Sequence, residues 1–268
     1  MIIKENFNPY KKSFGDIYRA LTTGIGRRLI WDLNPESISS SKKFKKLKNK
    51  YAGEKAVILF NGPSLLKADF ESLKNTYTFG LNKVNLIFEE KNFIPNILVA
   101  FDSLLNEQNT SFLSNSPHLL KILAYDSYKD LKKRGEDYIY LYHQEDPSFC
   151  YDPSSCVVNR GSTPYITFQI AYYMGFEQIA IVGADHNFPN LPPMAKIKNL
   201  DEDKYHFHKD YHKKGDVNQY PDRLKLDILF RDIKLAYEMK GRKIYNATEG
   251  GNLEIFERKN LHDFINGI

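Results

Sequence analysis

Apolar and polar positions follow two different periods along most of the chain. Short, nearly continuous apolar runs indicate buried strands, and they alternate with segments whose apolar residues recur every three to four positions, as in helices. Such alternation is typical of a parallel sheet that is covered on both faces. The predicted strands are 56–60, 77–82, 97–102, 119–125, 137–143, 178–185 and 243–247. This pattern predicts one α/β domain with a Rossmann-like, mostly parallel sheet over residues 56–268.

The segments between the strands predict helices and one long irregular stretch. A helix over 163–176 has Pro164 in its first turn and Gly175 near its C-terminal cap. Further helices are predicted at about 64–74, 84–90, 103–113, 128–135 and 221–240. Neither period is present over some 30 residues that end near Asp216. The Tyr, Phe and His content of this stretch favours a long lid loop over a disordered segment.

Residues 1–55 form a basic, partly helical extension to this pattern. They contain 13 Lys and Arg against 5 Asp and Glu, a local charge of +8, so residues 56–268 carry −3. An apolar stripe over residues 14–29 predicts a helix, and six lysines follow between Lys42 and Lys50. Two interpretations stay open: residues 1–50 rest on an anionic membrane, or the helix packs on the main domain ahead of a solvated lysine linker.

The composition excludes several classes of protein. With 42% hydrophobic and 26% charged residues, the chain is typical of a soluble globular protein, and the charge of residues 56–268 argues against a nucleic-acid partner. Cys150 and Cys156 fit neither a metal-binding spacing nor a secreted disulfide framework. We find no signal peptide and no apolar run near 18 residues. A cytoplasmic protein is therefore expected, peripheral on the inner face of the plasma membrane if the extension binds lipid. The oligomeric state stays open, a homo-oligomer included.

Polar residues follow directly after four of the predicted strands. They are Asn61–Ser64, Asn82–Lys83, Asp102–Ser103 and Asp185–His186. Ligands of parallel α/β sheets bind beyond the carboxyl ends of the strands, so these positions predict a cleft along one edge. In the first of them, Asn-Gly-Pro-Ser joins a strand to a helix, and backbone N–H groups at such a turn are a common site for a phosphate.

Four of the seven histidines lie within 27 residues, in or beside the predicted lid. His206, His208 and Asp210 have the spacing H-x-H-x-D of some metallo-hydrolases, but Tyr211 stands where those enzymes have a further histidine. Three interpretations stay open: a metal site, solvated loop histidines, or a general base that removes a proton from a hydroxyl.

Several short motifs occur in order between residues 56 and 216. "FNGPS" is followed by a strand that ends in Asn82-Lys83, and then by "FDSLLNEQ". "GSTPYITFQIAYYMGFEQIAIVGAD" comes next, and His208, His212 and Asp216 follow it. This ordered set resembles the bacterial sialyltransferases of glycosyltransferase family 42.

The resemblance implies a GT-A-like core and an inverting, metal-independent transfer. A sialic-acid-like nonulosonic acid would move from a CMP-activated donor to a sugar hydroxyl of a glycan acceptor, with no further cofactor. The residues that would bind the nucleotide and the donor sugar are Asn61, Gly62, Pro63, Ser64, Asn82, Lys83, Asp102, Ser162, Thr163, Asp185 and His186. His212 would be the base, with His208 and Asp216 beside it. The two tyrosines that assist the leaving group in that family are absent, so Tyr205, Tyr211 or His186 would take that role.

The chain also resembles a bacterial family that is related to archaeal 6-hydroxymethylpterin diphosphokinases. Its "IVGAD" strand and the ending "GRKIYNATEGGNLEIF" are similar to members found in gene sets for surface polysaccharide or lipooligosaccharide synthesis. This relationship implies an alternative enzyme that uses ATP and Mg²⁺ held by Asp102 and Asp185. A non-catalytic, membrane-tethered nucleotide-binding module is the second alternative.

Overall fold

An eight-stranded parallel sheet forms the centre of the molecule. The computed structural model describes residues 26–116, 118–188, 196–198, 203–213, 215, 217–219 and 222–267. The strands of the sheet are β1 (Lys55–Leu59), β2 (Tyr77–Leu81), β3 (Ile97–Ala100), β4 (Leu120–Ala124), β5 (Tyr138–Leu141), β8 (Gln178–Val182), β11 (Lys243–Asn246) and β12 (Glu257–Arg258). They lie in the order β12-β11-β8-β1-β2-β3-β4-β5, and every neighbouring pair is parallel. The predicted Rossmann-like sheet is confirmed, with β12 as a short additional edge strand.

The direction in which strands are added reverses beside β1. From β1 the chain builds β2 to β5 on one side, and it then returns to place β8, β11 and β12 on the other side. The connections after β1 and β8 therefore diverge at their carboxyl ends. Such a reversal opens a crevice in α/β sheets and is where their ligands bind.

Helices cover both faces of the sheet. They are α1 (Pro35–Lys45), α2 (Phe70–Leu73), α3 (Phe88–Lys91), α4 (Ser103–Gln108), α5 (Thr110–Asn115), α6 (Ser127–Leu131), α7 (Thr163–Met174), α8 (Arg223–Glu238) and α9 (Leu261–Asn266), with 3₁₀ turns at Pro63–Lys67 and Val84–Ile87. Along β1, Ala56 and Ile58 enter the core cluster that also contains buried residues of α7 and α8. Val57 and Leu59 enter the opposite cluster, which contains Phe264 of α9. Successive strand residues point to opposite faces, so both faces are buried and the strands are apolar throughout.

The helices differ in length from the prediction. Helix α7 ends as expected at Gly175, which adopts a left-handed conformation with φ of 100°. The single helix predicted over 64–74 is instead a 3₁₀ turn followed by α2, and Asp69 caps α2 through its side chain. The helix predicted over 103–113 is likewise divided into α4 and α5, which meet at Asn109.

The described part of the N-terminal extension packs on the sheet. Trp31 lies in one core cluster and Phe44 of α1 in the other, and Phe44 stacks on Tyr173 with ring centroids 4.9 Å apart. The Ser40 hydroxyl accepts a hydrogen bond from the backbone N–H of Tyr140 in β5. This contact occupies an outer donor of the edge strand, which would otherwise be open to another chain. The start of the predicted helix over 14–29 lies outside the described residues.

The long segment after β8 contains secondary structure that the sequence pattern did not predict. β9 (Lys196–Lys198) and β10 (Val217–Gln219) pair as an antiparallel ribbon, so the segment is not wholly irregular. A second small pair, β6 (His143–Gln144) with β7 (Val157–Val158), lies in the segment predicted as a polar loop. Across the part of the chain that the structure describes, no helix is both long and apolar enough to cross a membrane.

Candidate functional site

A cleft of about 820 Å³ opens at the carboxyl ends of the central strands, where the strand order reverses. The turns after β1, β2, β3 and β8 line it, together with the start of α7, the start of α8 and part of the loop over 203–213. The predicted site residues in its lining are Asn61, Gly62, Pro63, Asn82, Asp102, Ser162, Thr163, Asp185, His186, Tyr211 and His212. The topology thus brings together side chains that are up to 151 residues apart in sequence.

The Asn-Gly-Pro-Ser turn is held by a carboxylate of the protein. Asp185 Oδ2 accepts hydrogen bonds from the Ser64 hydroxyl (2.6 Å) and the Ser64 backbone N–H (3.1 Å). The Gly62 N–H donates to the Gly183 carbonyl at 2.9 Å. A Cβ atom on Gly62 would lie 2.1 Å from Asp185 Oδ2, so only glycine fits here. Ser64 was predicted to bind nucleotide. Both of its hydrogen-bond donors are used by the Asp185 carboxylate, which takes the place expected for a phosphate.

Two buried acceptors face the cleft beside this turn. The Asn61 amide donates from Nδ2 to the Leu81 carbonyl (3.1 Å) and to the Tyr211 hydroxyl (3.0 Å), which fixes its orientation. Asn82 is held in a left-handed conformation with φ of 49°. The Oδ1 atoms of Asn61 and Asn82 are both buried and accept no hydrogen bond from any residue that the structure describes. Buried acceptors in proteins are nearly always paired with protein or water, so these two oxygens are positions where a bound ligand or a water would donate hydrogen bonds.

The loop segment 203–213 is docked on the sheet edge. The Phe207 N–H donates to the Asn61 carbonyl at 2.9 Å, and the Tyr211 side chain is 1% exposed. Lys83 donates to the Tyr211 carbonyl at 2.6 Å and also to the Gln108 side chain. Lys83 was predicted to bind nucleotide, but its ammonium group instead fastens the loop. Burial raises the pKa of the Tyr211 hydroxyl, against the effect of hydrogen bonds from the Asn82 side chain and the Lys83 backbone.

Three polar side chains of this loop converge beside the cleft. Asp203, His206 and His212 offer ligand atoms that lie within 4.8 Å of one another. His206 Nδ1 lies 2.8 Å from Asp203 Oδ2, and the rings of His206 and His212 are nearly perpendicular, with centroids 4.9 Å apart. Burial acts to raise the pKa of Asp203, but hydrogen bonds from His206 and from the Tyr205 N–H outweigh it and lower the pKa. Asp203 is therefore a carboxylate at neutral pH.

The H-x-H-x-D spacing does not describe this cluster. His208 lies outside the cleft lining, and its Nδ1 accepts the Asp210 backbone N–H at 3.1 Å within a local turn. Within the described residues, the group able to hold a metal is Asp203, His206 and His212, so the predicted set with His208 and Asp210 does not match it. Asp216, the predicted partner of His212, lies outside the described residues.

Two predicted polar residues cap helices at the cleft. Asp102 Oδ1 accepts the Leu105 N–H (3.1 Å) at the start of α4, and Ser162 Oγ accepts the Tyr165 N–H (3.4 Å) at the start of α7. Both side chains therefore satisfy helix termini as well as lining the cleft. Thr163 follows Ser162 and is 7% exposed.

His186 occupies a strained position after β8. Its backbone φ is 56°, and its Nε2 atom lies 2.8 Å from Asp227 Oδ1 of α8. Burial lowers the pKa of His186, and the Asp227 carboxylate offsets this only in part. The imidazole is therefore neutral near pH 7 and accepts or donates a hydrogen bond without carrying charge.

Asp203 and Asp227 were missed by the sequence reasoning. Asp203 precedes the H-x-H run by three residues, and Asp227 lies within a helix where an Asp usually faces solvent. The (i, i+3) spacing of Asp203 and His206 was a usable signal, whereas the pairing of Asp227 with His186 spans 41 residues and needs the fold.

Comparison with known proteins places this geometry in a family. Residues 33–191, more than half of the chain, match the family described as 6-hydroxymethylpterin diphosphokinase MptE-like. No curated protein matches the chain. Among solved structures, the MAf glycosyltransferase from Magnetospirillum magneticum AMB-1 is similar, with 15% sequence identity and a TM-score of 0.45. The similarity covers 85% of this chain and 39% of that protein, so the chain spans well under half its length.

Proposed function

Because the chain belongs to the 6-hydroxymethylpterin diphosphokinase MptE-like family, we propose that its cleft binds a phosphorylated nucleotide ligand and that the protein is a transferase. The transfer that the site residues favour moves a sialic-acid-like nonulosonic acid from a CMP-activated donor to a sugar hydroxyl, with inversion. A glycan of surface polysaccharide or lipooligosaccharide would be the acceptor. The ordered motifs between residues 56 and 216 support this choice of donor.

The observation that carries the proposal is the pair of buried amide oxygens on Asn61 and Asn82 at the strand reversal. These atoms can only accept hydrogen bonds, so their partners would be the donor groups of the ligand and not its phosphate. A cytidine amino group, ribose hydroxyls or hydroxyls of the donor sugar would satisfy them. An 820 Å³ cleft is large enough for a nucleotide together with a sugar.

The two carboxylates that would hold Mg²⁺ in the diphosphokinase alternative have hydrogen-bond partners within the protein. Asp185 is engaged with both donors of Ser64, and Asp102 caps α4. Mg²⁺ is commonly held by one or two carboxylates together with substrate phosphates, so binding of an ATP-bound ion here would compete with these contacts.

The acceptor hydroxyl would lie against the docked loop. His206 and His212 line the cleft from this loop, which is docked beside the Asn61 turn through Phe207 and Tyr211. Tyr205 and Tyr211 also line the cleft and are the first two tyrosines after the stretch where a leaving-group tyrosine was expected. Acceptor activation is therefore assigned to the loop and donor binding to the strand ends.

An anionic membrane is proposed as a further partner. Leu29, Ile30 and Leu33 are 55%, 70% and 82% exposed, and they precede the lysine-rich stretch. Apolar side chains next to basic ones suit the interface of a bilayer that contains anionic lipid. A peripheral position there would bring the cleft near a lipid-linked glycan acceptor.

The activity is tested by product analysis. The full-length protein is incubated with CMP-activated sialic acid and a galactoside, and CMP release is measured with and without the acceptor. Acceptor-dependent release of CMP is expected. A parallel reaction with ATP, Mg²⁺ and 6-hydroxymethylpterin should give no AMP, and AMP formation there would show that the family's diphosphokinase chemistry is the correct choice.

A further inference from the structure

The loop cluster beside the cleft has the composition of a transition-metal site. Two imidazoles and one carboxylate come together from Asp203, His206 and His212, with their ligand atoms within 4.8 Å of one another. Donor atoms on a tetrahedral zinc ion, at bond lengths of about 2.0–2.2 Å, are about 3.3–3.6 Å apart. In the observed arrangement His206 Nδ1 and Asp203 Oδ2 are 2.8 Å apart, so the side chains would shift when they bind an ion.

We propose that Asp203, His206 and His212 bind one Zn²⁺ ion, with a fourth position open toward the cleft. Nitrogen and oxygen donors in this ratio suit zinc, whereas Mg²⁺ and Ca²⁺ prefer oxygen ligands alone. Catalytic zinc sites commonly use three protein ligands and leave the fourth position for water or substrate.

The shell around the cluster is built to hold the ligands in place. The Asp203 side chain is fully buried, and its second oxygen accepts the backbone N–H groups of Tyr205 (2.8 Å) and His206 (3.2 Å). The His206 ring stacks on Tyr211 with centroids 4.0 Å apart and planes within 2°. Fixed orientation of the first ligands by such contacts is characteristic of metal sites.

The positions of the histidines give the ion a role in the cleft. His206 and His212 line the cavity, so an ion bound by them contacts whatever occupies the acceptor side. A zinc-bound hydroxyl loses its proton more readily than a free one. The ion, and not a free His212 imidazole, would then activate the acceptor hydroxyl. The transfer would also depend on a metal, in contrast to the metal-independent transfer that the family 42 resemblance implied. Zinc binding itself does not depend on the proposed donor.

The test measures zinc directly on the full-length protein. After removal of bound metal with a chelator, Zn²⁺ is titrated by calorimetry, and retained zinc is counted after dialysis. One equivalent is expected. Loss of a residue that only supports a ligand weakens metal binding by about 10–100-fold. A larger loss of zinc affinity is expected for each ligand variant: Asp203→Asn, His206→Gln and His212→Gln. His208→Gln and Asp210→Asn are the matched controls and should bind as the wild type does.

Three results would overturn the proposal: no zinc held by the wild-type protein, undiminished binding by His206→Gln, or equal losses in the His208 and Asp210 controls. Circular dichroism of each metal-free variant identifies unfolding as a separate cause. Substituted Co²⁺ gives a visible spectrum characteristic of tetrahedral coordination if the site forms. The zinc titration contains no nucleotide. Its result therefore stands even if the assay for transfer from a CMP-activated donor is negative.

Discussion

At the scale of single residues, two side-chain oxygens in the cleft depart from the rule that buried hydrogen-bond acceptors are paired. Asn61 and Asn82 were predicted to contact the nucleotide, but the sequence could not tell which atom of each amide is available. The structure uses the Asn61 Nδ2 group for Leu81 and Tyr211 and leaves the buried Oδ1 atoms of both residues without a donor among the described residues. An unpaired buried acceptor costs about 1–3 kcal/mol, and a ligand that donates hydrogen bonds to these oxygens would offset that cost.

Asn82→Gly is expected to separate these two effects. Glycine accepts the left-handed backbone of residue 82, which offsets the loss of the hydrogen bond from the Asn82 side chain to the Tyr211 hydroxyl, so the free energy of unfolding should change little. Its affinity for CMP should fall by about 1–3 kcal/mol because a hydrogen-bond acceptor is lost. Asn92→Gly is a matched control, since Asn92 has φ of 47° and lies outside the cleft. Calorimetric CMP titrations and urea unfolding check both, and a parallel loss of affinity in the control would point to backbone entropy instead.

The buried neutral imidazole of His186 predicts a pH dependence of stability. Burial lowers its pKa in the folded state, so the unfolded chain binds a proton first as the pH falls below about 6.5. The free energy of unfolding should therefore decrease on acidification through this range. His186→Asn, which tolerates the positive φ, should show a smaller decrease between pH 7.5 and pH 5.5 in urea unfolding. An unchanged pH slope in the variant would mean that other groups cause the dependence.

At the scale of elements, the sequence predicted the strands well and the loops poorly. The seven predicted strands are all present, because a strand that is buried on both faces must be apolar at nearly every position. The sequence pattern predicted single helices over 64–74 and 103–113, where the structure has two short elements each. The cap of α2 by Asp69 and the break at Asn109 leave the apolar spacing unchanged, so the pattern did not show these divisions. The turns after β1 and β8 interlock through Asp185 and Ser64, a contact over 121 residues that no local pattern encodes.

Gly62→Ala tests this interlock. The new methyl group would lie 2.1 Å from Asp185 Oδ2 and 2.6 Å from the Gly183 carbonyl, so one of the two turns must move. We expect a loss of about 1–3 kcal/mol in the free energy of unfolding, the usual cost of overpacking, together with weaker nucleotide binding. Gly26→Ala is the control, because no atom of the described residues lies within 4 Å of its added methyl group. A wild-type melting curve for Gly62→Ala would contradict the interlock.

At the scale of the whole molecule, topology turns dispersed polar residues into one site. The positions after four strands were predicted to share an edge, and they line one cleft because every strand of the sheet is parallel. The sequence could not show that Lys83 fastens the loop or that Asp203 joins His206 and His212, since loop conformation depends on tertiary contacts. Trp31 and Phe44 are part of the packed core, whereas Leu29, Ile30 and Leu33 are exposed and precede the lysine-rich stretch in sequence.

Membrane association can be tested on these exposed side chains. Ile30→Asp combined with Leu33→Asp should reduce sedimentation with vesicles that contain phosphatidylglycerol. Binding by the wild type should also weaken with salt, because each nearby lysine contributes about 1 kcal/mol electrostatically. Leu224→Asp combined with Leu235→Asp is the control, since these residues of α8 are 69% and 57% exposed. Equal effects of the two double variants, or no binding of the wild-type protein to vesicles, would contradict the proposed membrane association.

The most direct test of the proposed nucleotide site is a thermal-shift panel of CMP, CDP, UDP, GDP and ATP, each with and without Mg²⁺. CMP should stabilise the wild-type protein in the absence of Mg²⁺, by about 2.7 kcal/mol at 100 times its Kd. Asn82→Gly should lose most of that shift, whereas Asn92→Gly should keep it. Stabilisation by ATP with Mg²⁺ alone, and none by CMP, would contradict the assignment of the cleft to a CMP-activated donor.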